Sequence, residues 1–179
     1  MRISLWVVSL LCICFSACRK DNEDKPADDP VVTSGKWIRG IFDLGNFWAY
    51  DGQAIMSSSF TTDGLDIRDD GTVEWFTVFF PTDSHQGCNP QKLMYKKGTI
   101  TFNHNTQQFT MRFTEGRYRE FYQNCPGQSH REVILTSTEL ADMSLSGFWK
   151  IESSEGKKLL GIAYASVSGP YLYLEEGHW

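Results

Sequence analysis

Apolar residues at every second position, broken by turn residues at short intervals, restrict the fold of this chain more than any other feature. Ile100 and Phe102 alternate with Thr99, Thr101 and Asn103; Phe109, Met111 and Phe113 alternate with Thr110, Arg112 and Thr114. The polar run Asn103-His104-Asn105-Thr106 separates them. Each segment therefore has one apolar and one wet face, which suits an antiparallel sheet and not the 3.6-residue period of a helix. Leu65 and Ile67 repeat the pattern before Asp69-Asp70-Gly71, a three-residue hairpin loop with glycine in the left-handed position. In that register Ile67 faces Val73 and Leu65 faces Trp75. A two-residue loop would set Ile67 against Glu74 and mix the faces.

Downstream, Glu115-Gly116 reads as a turn into a strand from Arg117 to Tyr122. Asn124 to Gly127 turns again, before a strand from Arg131 to Thr136. Ser137 to Ser146 is polar enough for a short helical turn. Phe148–Glu152 and Leu159–Ser166 flank a hairpin at Glu155-Gly156, and Tyr171 to Leu174 forms the last strand. About eight to ten strands in sequential hairpins, with no long amphipathic helix, predict an all-β domain. Exposed edges must be hidden, so an antiparallel up-and-down β-barrel is expected, with a β-sandwich as the alternative.

The first residues belong to a different class. Ile3 to Phe15 is an almost unbroken apolar run behind Met1-Arg2, too short to span a bilayer and the right size for a secretory signal. Phe15-Ser16-Ala17-Cys18 resembles the lipobox of bacterial lipoproteins. That resemblance implies cleavage before Cys18 and acylation of Cys18; multiple acyl chains would make a firm membrane anchor. The acidic residues Asp21, Glu23 and Asp24 resemble the tether of surface-exported lipoproteins in Bacteroidota-type bacteria. Residues 1–17 are thus expected to be signal, 18–34 the lipidated cysteine and an extended tether, and 35–179 the domain. The expected location is the outer membrane, on its periplasmic or cell-surface face. Beyond the signal and Cys18, two cysteines remain, Cys88 and Cys125. In an oxidising compartment an even pair implies one disulfide.

The order of several short motifs resembles lipocalin-like domains of secreted lipoproteins. Gly35-Lys36-Trp37 stands where a G-x-W opens the first lipocalin strand, and Asp69-Asp70-Gly71-Thr72-Val73 resembles a D-G-T hairpin. Tyr95 to Ile100, Thr114 to Tyr118, Gly87-Cys88 and Asn124-Cys125 follow the same pattern. The resemblance implies a calycin-like barrel with a small apolar ligand. It also implies an arginine packed over Trp37, for which Arg112, Arg117 and Arg119 are candidates.

The chemistry is sparse. No GxSxG or HExxH occurs, and the four histidines are scattered. Ser154-Glu155-Gly156-Lys157 matches S-x-x-K only on a predicted turn, and the acidic loop at Asp66–Gly71 lacks the ligand count of a calcium site. A non-catalytic protein is expected, with no cofactor and no metal. The net charge of −5 gives no electrostatic reason for nucleic-acid binding. Trp75, Phe102, Phe109, Met111 and Phe113 are candidate cavity residues; the same side chains would serve a packed core. Arg112, Arg117 and Arg119 are a candidate anion-binding rim. Partners are expected to be a membrane, through the lipid, and a small hydrophobic ligand. The alternative is a surface interaction protein for a glycan, a host protein or an enzyme, presenting Trp48, Tyr50, His85 and Trp179. Nothing in the sequence sets the oligomeric state.

Overall fold

A computed structural model describes residues 33–51, 61–79, 89–123 and 125–179. The chain divides into two units, Met1–Pro30 and Val31–Trp179. Cys18, His85, Cys88 and the tether as far as residue 32 lie outside the described residues.

The strands are β1 (Gly35–Arg39), β2 (Thr62–Ile67), β3 (Thr72–Phe79), β4 (Asn89–Asn103), β5 (Gln108–Gln123), β6 (Arg131–Ile134), β7 (Leu145–Ser154), β8 (Lys157–Ala163) and β9 (Leu172–Glu176). Two short helices, α1 (Leu44–Ala49) and α2 (Ser137–Asp142), lie between β1 and β2 and between β6 and β7. Neighbours pair antiparallel in the order β1-β2-β3-β4-β5-β7-β8-β9, and β9 pairs back onto β1. The domain is therefore a closed, eight-stranded, up-and-down barrel of lipocalin-like architecture rather than a two-sheet sandwich. Closure leaves the ring without a free edge. β6 stands outside it, paired to β5 beyond the stretch that β7 occupies.

Local chemistry accounts for the turns. Ile67 pairs with Val73 and Leu65 with Trp75, the register expected for the three-residue loop. Gly71 takes φ +80°, where a side chain would be strained, and the Asp70 carboxylate accepts from the Thr72 amide at 2.8 Å. Glu155 and Gly156 both have positive φ, as a two-residue hairpin between right-twisted strands requires. Thr136 and Glu139 form a reciprocal capping box that starts α2.

One expectation fails. Glu115-Gly116 is not a turn; β5 runs through it unbroken to Gln123. The pairing steps from Lys97↔Glu115 to Gly98↔Phe113, so Thr114 is an extra residue, a β-bulge. The bulge shifts the inward set from Phe109, Met111 and Phe113 to Gly116, Tyr118 and Glu120. Gly116 leaves room for α2: a methyl there would meet Leu135 Cδ1 at 2.8 Å and Leu140 Cδ2 at 2.9 Å.

There are two cores. Inside the ring Trp37, Leu65, Val73, Met111, Leu160 and Leu174 are fully buried, with Trp75, Phe109, Phe113 and Trp149 around them. Outside it, the segment around α1 folds against β3–β5 and buries Phe42, Phe47, Tyr50, Phe76, Val78, Leu93 and Phe121. The outer face of this part of the wall is thus apolar too.

Candidate functional site: the barrel mouth

The barrel interior is filled at one end and open at the other. A cavity of about 570 Å³ lies at the mouth, lined by Thr61, Phe79, Lys92, Met94, Tyr118, Leu135, Glu139 and Met143. Its walls come from the ends of β3 and β5, the start of β4 and the flank of α2. The cavity is mainly apolar and large enough for a small molecule.

Its floor is polar. Side chains two residues apart on a strand share a face, so each wall residue has a deeper neighbour. Thr61 stands above Asp63, Phe79 above Thr77, Met94 above Lys96 and Tyr118 above Gly116. Asp63 is 2% exposed. Its Oδ1 accepts from Trp75 Nε1 at 3.0 Å and Thr77 Oγ1 at 2.9 Å, and its Oδ2 from Arg39 Nε at 2.7 Å. Lys96 is 8% exposed, and its ammonium lies 4.6 Å from the Trp75 ring centre and 4.4 Å from that of Phe113. Burial lowers its pKa from 10.5 to about 8, against the opposing pull of Asp63. Burial also pushes the Tyr164 phenol up, Asp63 adding to the shift and Arg39 opposing it.

A second ionic cluster flanks the mouth. Glu120, 1% exposed, takes Lys92 Nζ at 2.6 Å, the Tyr122 hydroxyl at 2.7 Å and the Arg131 guanidinium. Burial pushes its carboxyl up, but the three donors outweigh burial and hold it at about 2.

The five expected cavity residues point inward but do not line this cavity. Trp75, Phe109, Met111 and Phe113 are buried in the packed core, with Phe102 against them. The three arginines do not assemble a rim. Arg112 is exposed, and Arg117 pairs with Glu132 at 3.0 Å with its guanidinium 4.7 Å from the Trp48 ring centre. Arg119 donates to the carbonyls of Trp48 at 3.2 Å and Tyr50 at 3.3 Å, and to that of Phe47. It thereby satisfies the last carbonyls of α1, which the helix itself leaves without donors. Arg119→Ala should lower the unfolding free energy by about 2 kcal/mol in urea titration, since three charged hydrogen bonds to helix-end carbonyls are lost. The cation over Trp37 is none of these arginines but Lys158, 5.3 Å from the ring centre. Of the expected surface aromatics, Tyr50 is buried, Trp179 packs on Phe42 at 5.2 Å and Trp48 is 37% exposed.

Sequence reading missed the buried polar layer. Its signal was present: Asp63 shares parity with Leu65 and Ile67, and Lys96 with Ile100 and Phe102, so charges stand at inward positions. Comparisons with protein-family models, curated proteins and solved structures return no match. No group of metal-binding side chains occurs among the described residues.

Proposed function

We propose that the domain is a non-catalytic binding module that holds a small, largely apolar molecule in the barrel mouth, tethered to the outer membrane through lipidated Cys18. The observation that carries this reading is the 570 Å³ cavity with Phe79, Met94, Tyr118, Leu135 and Met143 in its walls. An apolar space of this size inside a closed barrel, with a few convergent polar groups, is the usual form of a ligand site. The anchor rests on the Ser16-Ala17-Cys18 pattern behind the apolar run. A Cys88–Cys125 disulfide belongs to the same reading. Asn89, next to Cys88 in sequence, pairs with Gln123, two residues before Cys125, and Cys125 is not a free thiol.

Met94→Trp, which fills the cavity from β4, should weaken binding of a fluorescent apolar probe by at least about ten-fold, or 1.4 kcal/mol. Unchanged affinity in a variant that melts normally would remove the cavity from the account. Palmitate labelling should follow Cys18, and a labelled Cys18→Ala protein would refute the anchor. A second reading, a surface interaction protein for a glycan or another protein, has one observation in its favour. An outer groove of about 470 Å³ is lined by Trp48, Tyr95, Glu115, Arg117 and Ile134 among others. Loss of partner capture in Trp48→Ala, with probe binding intact, would favour it.

A further inference from the structure

We propose that the outer groove beside α1 binds a neutral sugar, held by the polar row Thr114, Glu115 and Arg117 of β5 against apolar walls that include Trp48 and Ile134. This inference deepens the surface reading above, rests on the groove being a binding surface, and is independent of the barrel mouth.

The β-bulge makes the polar row. In a regular strand successive side chains take opposite faces. Along β5 Met111 and Phe113 are buried with Arg112 exposed between them, but Thr114 and Glu115 are then exposed in succession. The extra residue turns both to the outer face, and Arg117 continues the row. All three line the space of about 470 Å³, a volume suited to a small molecule. Bulges that re-aim side chains in this way are common beside functional sites.

The chemistry of the groove selects the class. Glu115 stands opposite Lys97 of β4, and Arg117 donates to Glu132 at 3.0 Å, so each charge of the row has a neighbour of opposite sign. No net charge draws an ion. The Tyr95 phenol shares the groove; burial pushes it up, Glu74 and Glu115 adding and Arg117 and Arg68 opposing, so it stays protonated among the same charges. A carboxylate accepts, a guanidinium donates and the hydroxyls of Thr114 and Tyr95 do both. Sugar hydroxyls also do both, and satisfy a row that a hydrocarbon would leave desolvated and unpaired. In the same groove Trp48 is 37% and Ile134 80% exposed, offering apolar contact to the C–H bonds of a sugar ring. The Arg117 guanidinium packs on the Trp48 ring, which holds the donor in place.

The test screens the full mature chain carrying Cys18→Ser against an array of neutral, acidic and amino glycans, then measures the best neutral oligosaccharide by calorimetry. A neutral glycan should bind, with affinity changing by less than about two-fold between about 0.05 and 0.5 M salt. Glu115→Gln, which keeps the shape of an exposed side chain, should weaken binding by at least about ten-fold, the loss of a charge-assisted hydrogen bond. Thr114→Val should weaken it by about three-fold or more and serves as the second variant. The fluorescent apolar probe should bind both variants as it binds the unaltered chain, which separates groove from mouth. Binding confined to acidic or amino glycans, or a neutral glycan that both variants bind unchanged, would overturn the proposal. Absence of glycan binding with partner capture lost in Trp48→Ala would overturn the sugar alone and leave the groove a binding surface; absence of both would overturn both.

Discussion

Asp63→Ala is expected to lower the unfolding free energy by about 3 kcal/mol in urea titration, the largest loss from any single residue of the buried polar layer. The size follows from what the carboxylate holds together. Trp75 Nε1 and Thr77 Oγ1 donate to it from β3 and Arg39 from β1, so one side chain on β2 ties three adjacent strands inside the barrel. Alanine leaves a buried indole N–H without an acceptor and two cations without their shared counter-charge. Asp63→Asn keeps an acceptor oxygen but not the charge and should lose roughly half as much. A double-mutant cycle with Lys96→Met separates the contributions. Removing Lys96 should recover part of the Asp63→Ala loss, because the ammonium no longer stands uncompensated. Strict additivity of the two changes would mean that Asp63 and Lys96 do not interact, and that the buried polar layer is not one electrostatic unit.

The sequence reveals the barrel wall more readily than the contents of the barrel. Strand period and turn chemistry are local, so the Asp69-Asp70-Gly71 loop specifies the Leu65↔Trp75 register, and Glu155-Gly156 the last large hairpin. The bulge at Thr114 is less visible, because a glycine inside a strand and a glycine in a turn look alike without the partner strand. Gly116 finds its reason only in Leu135 and Leu140, some twenty residues on. Ligand end and packed end are equally hard to separate: Trp75, Phe79 and Met94 share one inward period. Only the closing pair β9–β1 and the position of α2 decide which of them line space and which fill it. The arginines misled for a related reason. Charged residues on a strand suggest a wet face, yet Arg119 turns to the carbonyls of α1, a helix that the alternation pattern does not announce.

Lys96→Met should stabilise the barrel near neutral pH and remove a rise in stability that the unaltered protein shows in alkali. Burial opposes the protonated amine, taking its pKa from 10.5 to about 8. Below pH 8 the folded and unfolded chains both carry the proton, and the full penalty, about 3 kcal/mol for a shift of that size, weighs on the fold. Between pH 8 and 10.5 the folded chain has released the proton and the unfolded chain has not, so stability rises with pH. Above that window the penalty is gone. The charged group that acts on Lys96 is Asp63 on β2; it stays in the variant, so the difference between the two pH profiles isolates the lysine. Methionine also forfeits the contacts with the Trp75 and Phe113 rings, worth about 1 kcal/mol together, leaving a net gain of about 2 kcal/mol at pH 7. Parallel profiles, or a less stable variant, would show that the ammonium is well accommodated between the Trp75 and Phe113 rings.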